Sequence, residues 1–213
     1  MEIQVWVDVV CPWCYIGKRR LERAVAGFNG PVTVTYRAFQ LDPTPVPDPT
    51  PIKQALAAKF GGTERAEQMF AHVTSIAAGD GLALDFDRAV AANTFDAHRL
   101  IAWAAHQGRQ AAMLGALQRA HFTDGVDIGS HAALARLARS IGLDETVALA
   151  YLRSAAGIDS VRADIMAARE YGITSVPTFV IDGRYAVQGA QEAATLRTAF
   201  AEIARRDAVD AGR

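Results

Sequence analysis

The sequence predicts an α/β protein whose mixed sheet is laid down in two halves, separated by an all-helical insertion. Three observations carry that reading. The N-terminal segment changes from strand to helix to strand periodicity. A long Ala-rich stretch from about Ile52 to Ala156 keeps a helical period throughout. The remainder, from about Asp159, reads helix, strand, tight turn, strand and helix. The boundaries drawn from this pattern are 1–45 for the first part of the core, 46–157 for the insertion and 158–213 for the second part.

Residues 3–10 alternate, with Ile3, Val5, Val7 and Val9 on one face and Gln4, Trp6, Asp8 and Val10 on the other, which predicts a strand. Cys11-Pro12 follows, then a helical stripe through Cys14, Gly17, Leu21, Val25 and Phe28 that ends near Gly30. Residues 32–39 alternate again as a second strand, so the opening is βαβ. Prolines 43, 45, 47, 49 and 51 exclude helix and central strand and predict a stiff extended linker. Their spacing of two offers no PxxP ligand. Within the insertion Ser130 and Asp144 read as N-caps, and Gly108 and Gly142 as helix stops. A helix from Asp159 to Tyr171 ends on Gly172 at C′. Pro177 opens the next strand, and Asp182-Gly183 is a two-residue hairpin signal returning from Arg184 to Gln188. A closing helix carries Leu196, Ala199, Phe200 and Ile203, and fraying is expected after Arg205.

The chain has 213 residues, 51% hydrophobic and 21% charged, with a formal net charge of -1, enough apolar content for a sizeable core. No basic block appears, which argues against nucleic acid and anionic membrane as partners. No apolar run has the length of a membrane span, and Met1-Glu2-Ile3-Gln4-Val5 runs into a strand without a basic n-region. A soluble, cytoplasmic protein is expected.

There are two cysteines, in Cys11-Pro12-Trp13-Cys14. Two cysteines placed at random over this length would fall at that spacing in about one case in a hundred. With Cys11 as N-cap and Pro12 at N1, proline's missing N–H costs nothing, and the amides of Trp13 and Cys14 are placed to donate to the Cys11 sulfur. The positive helix end acts in the same direction, so an exposed, ionised Cys11 is expected, with Cys14 one turn behind it as a thiol. That asymmetry makes Cys11 the nucleophile and Cys14 the resolving residue of a thiol–disulfide cycle. A structural disulfide across so short a loop would constrain the unfolded chain little. A zinc site needs about four ligands, and the histidines at 72, 98, 106, 121 and 131 form no second ligand pair; no metal is expected. His72, His106 and His121 read as helix-surface residues.

The stretch from Gly172 through Val176-Pro177-Thr178 to Gly183 resembles the cis-proline loop of thioredoxin-fold proteins. Trp6 to Arg19, with Cys11-Pro12-Trp13-Cys14 at its centre, resembles the active-site segment of the FrnE-type branch of the DsbA-like family. Tyr36 to Pro43, Asn93 to Arg99, Val161 to Asp164 and Val187 to Gln191 match that branch in order. The resemblance implies a thioredoxin-like core with a helical insertion, disulfide interchange as the activity, and Val176 as the residue whose backbone takes an extended substrate. It places Asn93 and His98 against the active-site groove, where a histidine could move a proton; the alternative is that Asn93 or Thr94 only caps a helix. Asp8, on the strand before the motif, is a candidate buried proton acceptor for Cys14 or a structural hydrogen-bonding group. Some relatives carry a second cysteine pair near the C-terminus; none exists here.

The expected partners are protein disulfides or small thiols, with glutathione admitted as a co-substrate and no other cofactor; the chain is expected as monomer or homodimer. Two other readings stand beside this one. The same fold family includes glutathione-dependent isomerases of the 2-hydroxychromene-2-carboxylate type and kappa-class transferases, which typically carry serine where this chain has Cys11. A non-catalytic peptide-binding or holdase protein would use the groove at Val176-Pro177 without the thiols.

Overall fold

The computed structural model describes residues 1–57 and 59–211. Its sheet has four strands, β1 (Glu2–Val7), β2 (Thr33–Ala38), β3 (Thr178–Ile181) and β4 (Tyr185–Gln188), in the order β2-β1-β3-β4. β1 pairs in parallel with β2, from Glu2 with Thr33 to Val7 with Ala38, and antiparallel with β3, from Ile3 with Ile181 to Trp6 with Thr178. β3 and β4 close an antiparallel hairpin. The sheet is thus mixed, with the first strand at its centre.

Both faces of β1 are covered, as befits a central strand. Ile3, Val5 and Val7 join Phe179 and Ile181 in the main core, against Leu21 and Ala24 of α1 (Pro12–Ala26) and Leu196 and Phe200 of α9 (Ala193–Ala211). Trp6 and Val180 point the other way, onto Ala168 of α8 (Ile158–Glu170) and Ile173. Between β2 and α8 lie α2 (Ile52–Ala57), α3 (Thr63–Gly79), α4 (Phe95–Ala105), α5 (Gln110–Phe122), α6 (His131–Ser140) and α7 (Glu145–Arg153). Four of them, α4 to α7, extend the main core through Leu100, Leu114, Leu117, Leu134 and Leu152. A second core packs Ile16 of α1 against Phe70 and Val73 of α3 and against Phe86 and Phe122. α1 is therefore gripped from both sides, which fixes the helix whose tip carries the cysteines.

Local signals explain several boundaries. Asp144 caps α7 by accepting from the amides of Thr146 at 2.8 Å and Val147 at 3.0 Å. Ser130 occupies the N-cap of α6 without a side-chain bond. Gly172, at φ +65, ends α8 in a Schellman arrangement, with its own N–H on Arg169 O and that of Ile173 on Ala168 O. The buried guanidinium of Arg99 donates to the carbonyls of Tyr151, Leu152, Ser154 and Ala156, satisfying the open end of α7.

Three expectations are corrected. The first strand stops at Val7, because Asp8 to Cys11 turn, with Cys11 N–H on Asp8 O at 3.2 Å. α1 ends at Ala26, and Phe28 packs from beyond it onto Phe200. The proline segment, expected as a stiff extended linker, has no helix or strand up to Thr50 and is tied to the body of the protein. Asn93 Nδ2 donates to Pro43 O and Thr44 O at 3.1 Å, and Ile52 N–H to Ala89 O at 2.9 Å. At the hairpin Asp182 and Gly183 both take positive φ, but the ladder resumes at Tyr185, one residue late. Past Arg205, where fraying is expected, α9 is helical to Ala211, with Glu202 paired to Arg205 and Arg206 and Arg184 to Asp207.

Candidate active site

Cys11 is the N-cap of α1, with extended backbone at φ -90 and ψ 112, and Pro12 is the first helical residue. Its carbonyl accepts from Cys14 N at 3.0 Å and Tyr15 N at 3.3 Å. The expected amide bonds to its sulfur are absent; Cys11 Sγ instead turns toward Val176 O, 3.6 Å away. The sulfur was also expected to be exposed, and it is not. Cys11 is 5% exposed and Cys14 0%. The difference still has the expected sense, since Cys11 lies at the mouth and Cys14 behind it. Both are free thiols. Burial pushes the Cys14 thiol well above its ordinary value, and the hydrogen bond and charge of the Cys11 sulfur add to this. Cys14 is therefore held as a thiol.

The covering loop is built to stay put. The Val176-Pro177 bond is cis. Pro177 O accepts from Gly189 N at 2.8 Å, and Thr178 Oγ1 donates to Ser175 O at 2.7 Å. Gly17 lets α1 approach: a Cβ there would stand 2.8 Å from Pro177 Cγ. Trp13 is exposed beside the cysteines, its ring centroid 6.4 Å from that of His72 on α3. The structure thus gathers Cys11, Pro12, Trp13, Cys14, Val176 and Pro177 at one spot.

Asp8 and His98 form a buried pair behind it. Asp8 Oδ2 accepts from Leu41 N at 2.8 Å, and Oδ1 lies 3.3 Å from His98 Nε2. The same Nε2 is 3.1 Å from Phe39 O, which can only accept, so Nε2 carries the hydrogen. Asn93 is elsewhere. Its Oδ1 accepts from Phe95 N at 3.0 Å at the start of α4 while its amide holds the proline segment, which is the capping alternative. A cavity of about 170 Å³ lies between β2, α4 and α8, lined by His98, Arg37 and Asp164 among others, and not at the cysteines.

Sequence reasoning placed His121 on a helix surface, and this is wrong. His121 is 0% exposed, because α5 is covered on nearly its whole circumference. Neither of its ring nitrogens has a hydrogen-bond partner among the described residues, and burial pushes its pKa down to about 4. Gln118, one turn earlier, is equally enclosed and its amide is equally unpartnered. No local signal marks these two, since burial of α5 is decided by elements distant in sequence. Among the described residues no cluster of three His, Cys, Asp or Glu side chains could hold a metal ion.

The sequence matches the DSBA-like thioredoxin domain over residues 2–201. The chain belongs to that family. Among solved structures, this DSBA-like chain is similar to a probable DsbA oxidoreductase from Streptomyces coelicolor, with 38% identity, 95% of this chain and 89% of that one covered, and a TM-score of 0.89. It shares its fold with the cytosolic disulfide reductase DsbM from Pseudomonas aeruginosa, solved with GSH, at 24% identity, coverage of 97% and 100%, and a TM-score of 0.65. It shares it also with 2-hydroxychromene-2-carboxylate isomerase, at 17% identity, 98% coverage of both chains and a TM-score of 0.73. The DsbA-like fold expected from the sequence is therefore the observed one. No helix among the described residues is long and apolar enough to cross a membrane.

Proposed function

We propose that this DSBA-like protein is a thiol–disulfide oxidoreductase in which Cys11 is the nucleophile and Cys14 resolves. One observation carries the reading: the less buried cysteine of a free pair occupies the N-cap position of a helix, with its sulfur 3.6 Å from the carbonyl of Val176. A sulfur there lies at the positive end of the α1 dipole, which favours negative charge. Cys11 thiolate attacks a substrate disulfide, forming a Cys11–substrate bond and releasing one substrate thiolate. Cys14 then attacks Cys11, forming the internal disulfide and releasing the second thiolate. Two electrons pass to the substrate. In the reverse direction a thiol pair reduces the enzyme.

An extended substrate would pair with the backbone of Val176, as in strand addition. The partners we infer are protein disulfides and glutathione mixed disulfides, in a reducing cytosol where the pair rests as the dithiol. The presence of GSH with the Pseudomonas DsbM supports the small-thiol partner. The FrnE-type branch is proposed on the motif residues alone.

The test is insulin reduction with a reducing co-substrate, alongside the reduction potential of the pair against glutathione. Cys11→Ser should abolish turnover, and Cys14→Ser should accumulate a mixed disulfide at Cys11. Full turnover by Cys11→Ser would refute the assignment in favour of a binding protein. Cys14→Ser with undiminished activity on a glutathione-dependent isomerisation would favour the isomerase reading.

A further inference from the structure

We propose that the cavity between β2, α4 and α8 binds a small apolar molecule carrying one hydroxyl group, held at the cavity floor by Nδ1 of His98. The site is separate from the sulfurs and stands independently of the oxidoreductase reading.

The first observation is His98 itself, which is 3% exposed. Both of its hydrogen bonds use one nitrogen: Nε2 stands 3.3 Å from Asp8 Oδ1 and 3.1 Å from Phe39 O. With the hydrogen on Nε2, Nδ1 of the neutral ring is an acceptor. Among the described residues Nδ1 has no partner. The sealed polar side-chain atoms without partners belong to Thr94, Gln118 and His121. Nδ1 of His98 is not one of them, so it looks into open space, and the open space against His98 is this cavity. Buried polar groups are hydrogen-bonded in the great majority of cases, so a donor belongs at this point.

The second observation is the size and wall of the cavity. Its volume is about 170 Å³, and an engineered apolar cavity of about 150 Å³ takes up benzene. The deep wall is built from buried Val7, Ala38 and Ile101 beside His98, and the mouth from exposed Ala105, His106 and Ser160, so a ligand can enter from solvent. The mouth keeps its polar groups in water. The deep wall offers an apolar surface and a single acceptor.

The third is that the other polar lining groups are already committed. Gln110 accepts from Tyr36 N at 3.0 Å and donates to Tyr36 O at 2.9 Å. Asp164 accepts from Arg37 and from Ala38 N, both at 3.1 Å. These bonds close the edge of β2, and the Arg37–Asp164 pair offers an ionic ligand no net charge. A lone water at Nδ1 would find one protein partner there, where a buried water typically needs two to four. A ligand with one hydroxyl on an apolar body satisfies Nδ1 and covers the apolar wall together. Its occupant would lie near the cysteines without touching them, since His98 bonds to Asp8, whose carbonyl accepts from Cys11 N at 3.2 Å.

The test is a titration of the full chain with phenol and, separately, with toluene, followed in proton–nitrogen NMR spectra. Phenol should move the amides of His98, Ile101 and Ala102 saturably and bind about 10-fold tighter than toluene, which lacks the hydroxyl. The Nδ1 resonance of His98 should move with phenol while Nε2 keeps its hydrogen. Ala102→Leu, which fills the cavity from α4, should abolish these shifts for both compounds. His98→Phe should remove the advantage of phenol; if that variant does not fold, the Nδ1 resonance of the wild type decides the point. Toluene binding as tightly as phenol, or Nδ1 unmoved at saturation, would overturn the proposal. So would the lack of any saturable shift at His98, or an unchanged phenol affinity in Ala102→Leu. Cys11→Ser should bind phenol as the wild type does, so failure of the redox assignment and failure of this site are read separately.

Discussion

Replacing Gly17 by alanine should destabilise the protein and loosen the active site together. Alanine normally stabilises a helix interior relative to glycine by about 0.5–1 kcal/mol. Here the added Cβ would stand 2.8 Å from Pro177 Cγ and 3.5 Å from Phe179 Cζ. Carbon atoms in good contact lie about 3.5–4.0 Å apart, so something must open by several tenths of an ångström. Neither neighbour yields cheaply. Phe179 is 0% exposed, and Pro177 is pinned through its carbonyl on Gly189 N at 2.8 Å. Overpacking of this kind costs about 1–3 kcal/mol, which leaves a net loss of about 1–2 kcal/mol after the helix gain. Gly79 of α3 supplies the control, since nothing lies within 4 Å of a Cβ there. Gly79→Ala should be neutral or stabilising by up to about 0.5 kcal/mol. Urea unfolding reads the difference as a shift of the midpoint with an unchanged slope. The same displacement would carry Val176 O away from Cys11, and the rate of Cys11 with a disulfide substrate should fall by about 10-fold. A Gly17→Ala protein as stable as Gly79→Ala, with unaltered Cys11 kinetics, would refute the close-approach argument.

Three further outcomes are expected. His121 is neutral when folded, with a pKa of about 4, against about 6.5 in the unfolded chain. The unfolded state therefore binds a proton first, and stability should fall as pH drops through the window from 6.5 toward 4. The loss is about 2–3 kcal/mol by pH 4.5, measured by urea unfolding at several pH values, and a His121→Leu variant should lack this component. Asp144→Ala should cost about 1 kcal/mol by stranding the amides of Thr146 and Val147, read as a lower urea midpoint. Phe200→Ala should cost about 3–5 kcal/mol in the same assay, since Phe200 is 0% exposed where α9 meets the sheet.

What was legible in the sequence was what short-range physics decides. Alternation of Ile3, Val5 and Val7 marked the central strand, Pro12 marked a helix start, and Gly172 marked a helix end, because each effect acts within a few residues. The cysteine pair and its position on α1 were legible for the same reason. That Val176 faces the cysteines was not derivable from the residues and was reached through resemblance, and the covering of Cys11 was not foreseen. Its sulfur bonds to a carbonyl 165 positions away in place of the nearby amides. His121 misled because a histidine on an Ala-rich helix normally faces water, whereas α5 is enclosed by α1, α4 and α6. The tethering of the proline segment was not legible either, since its carbonyls accept from Asn93, some fifty residues on.

The distance in chain between Cys11 and Val176 has a consequence for biosynthesis. Their 165-residue separation corresponds to about 10–30 s of translation at about 5–20 residues per second. For that interval the newly made Cys11 and Cys14 leave the ribosome with no carbonyl above them and no β3 beside β1. The nascent dithiol is then open to any oxidant or neighbouring cysteine, and its chemistry becomes selective only when the far end of the polypeptide arrives.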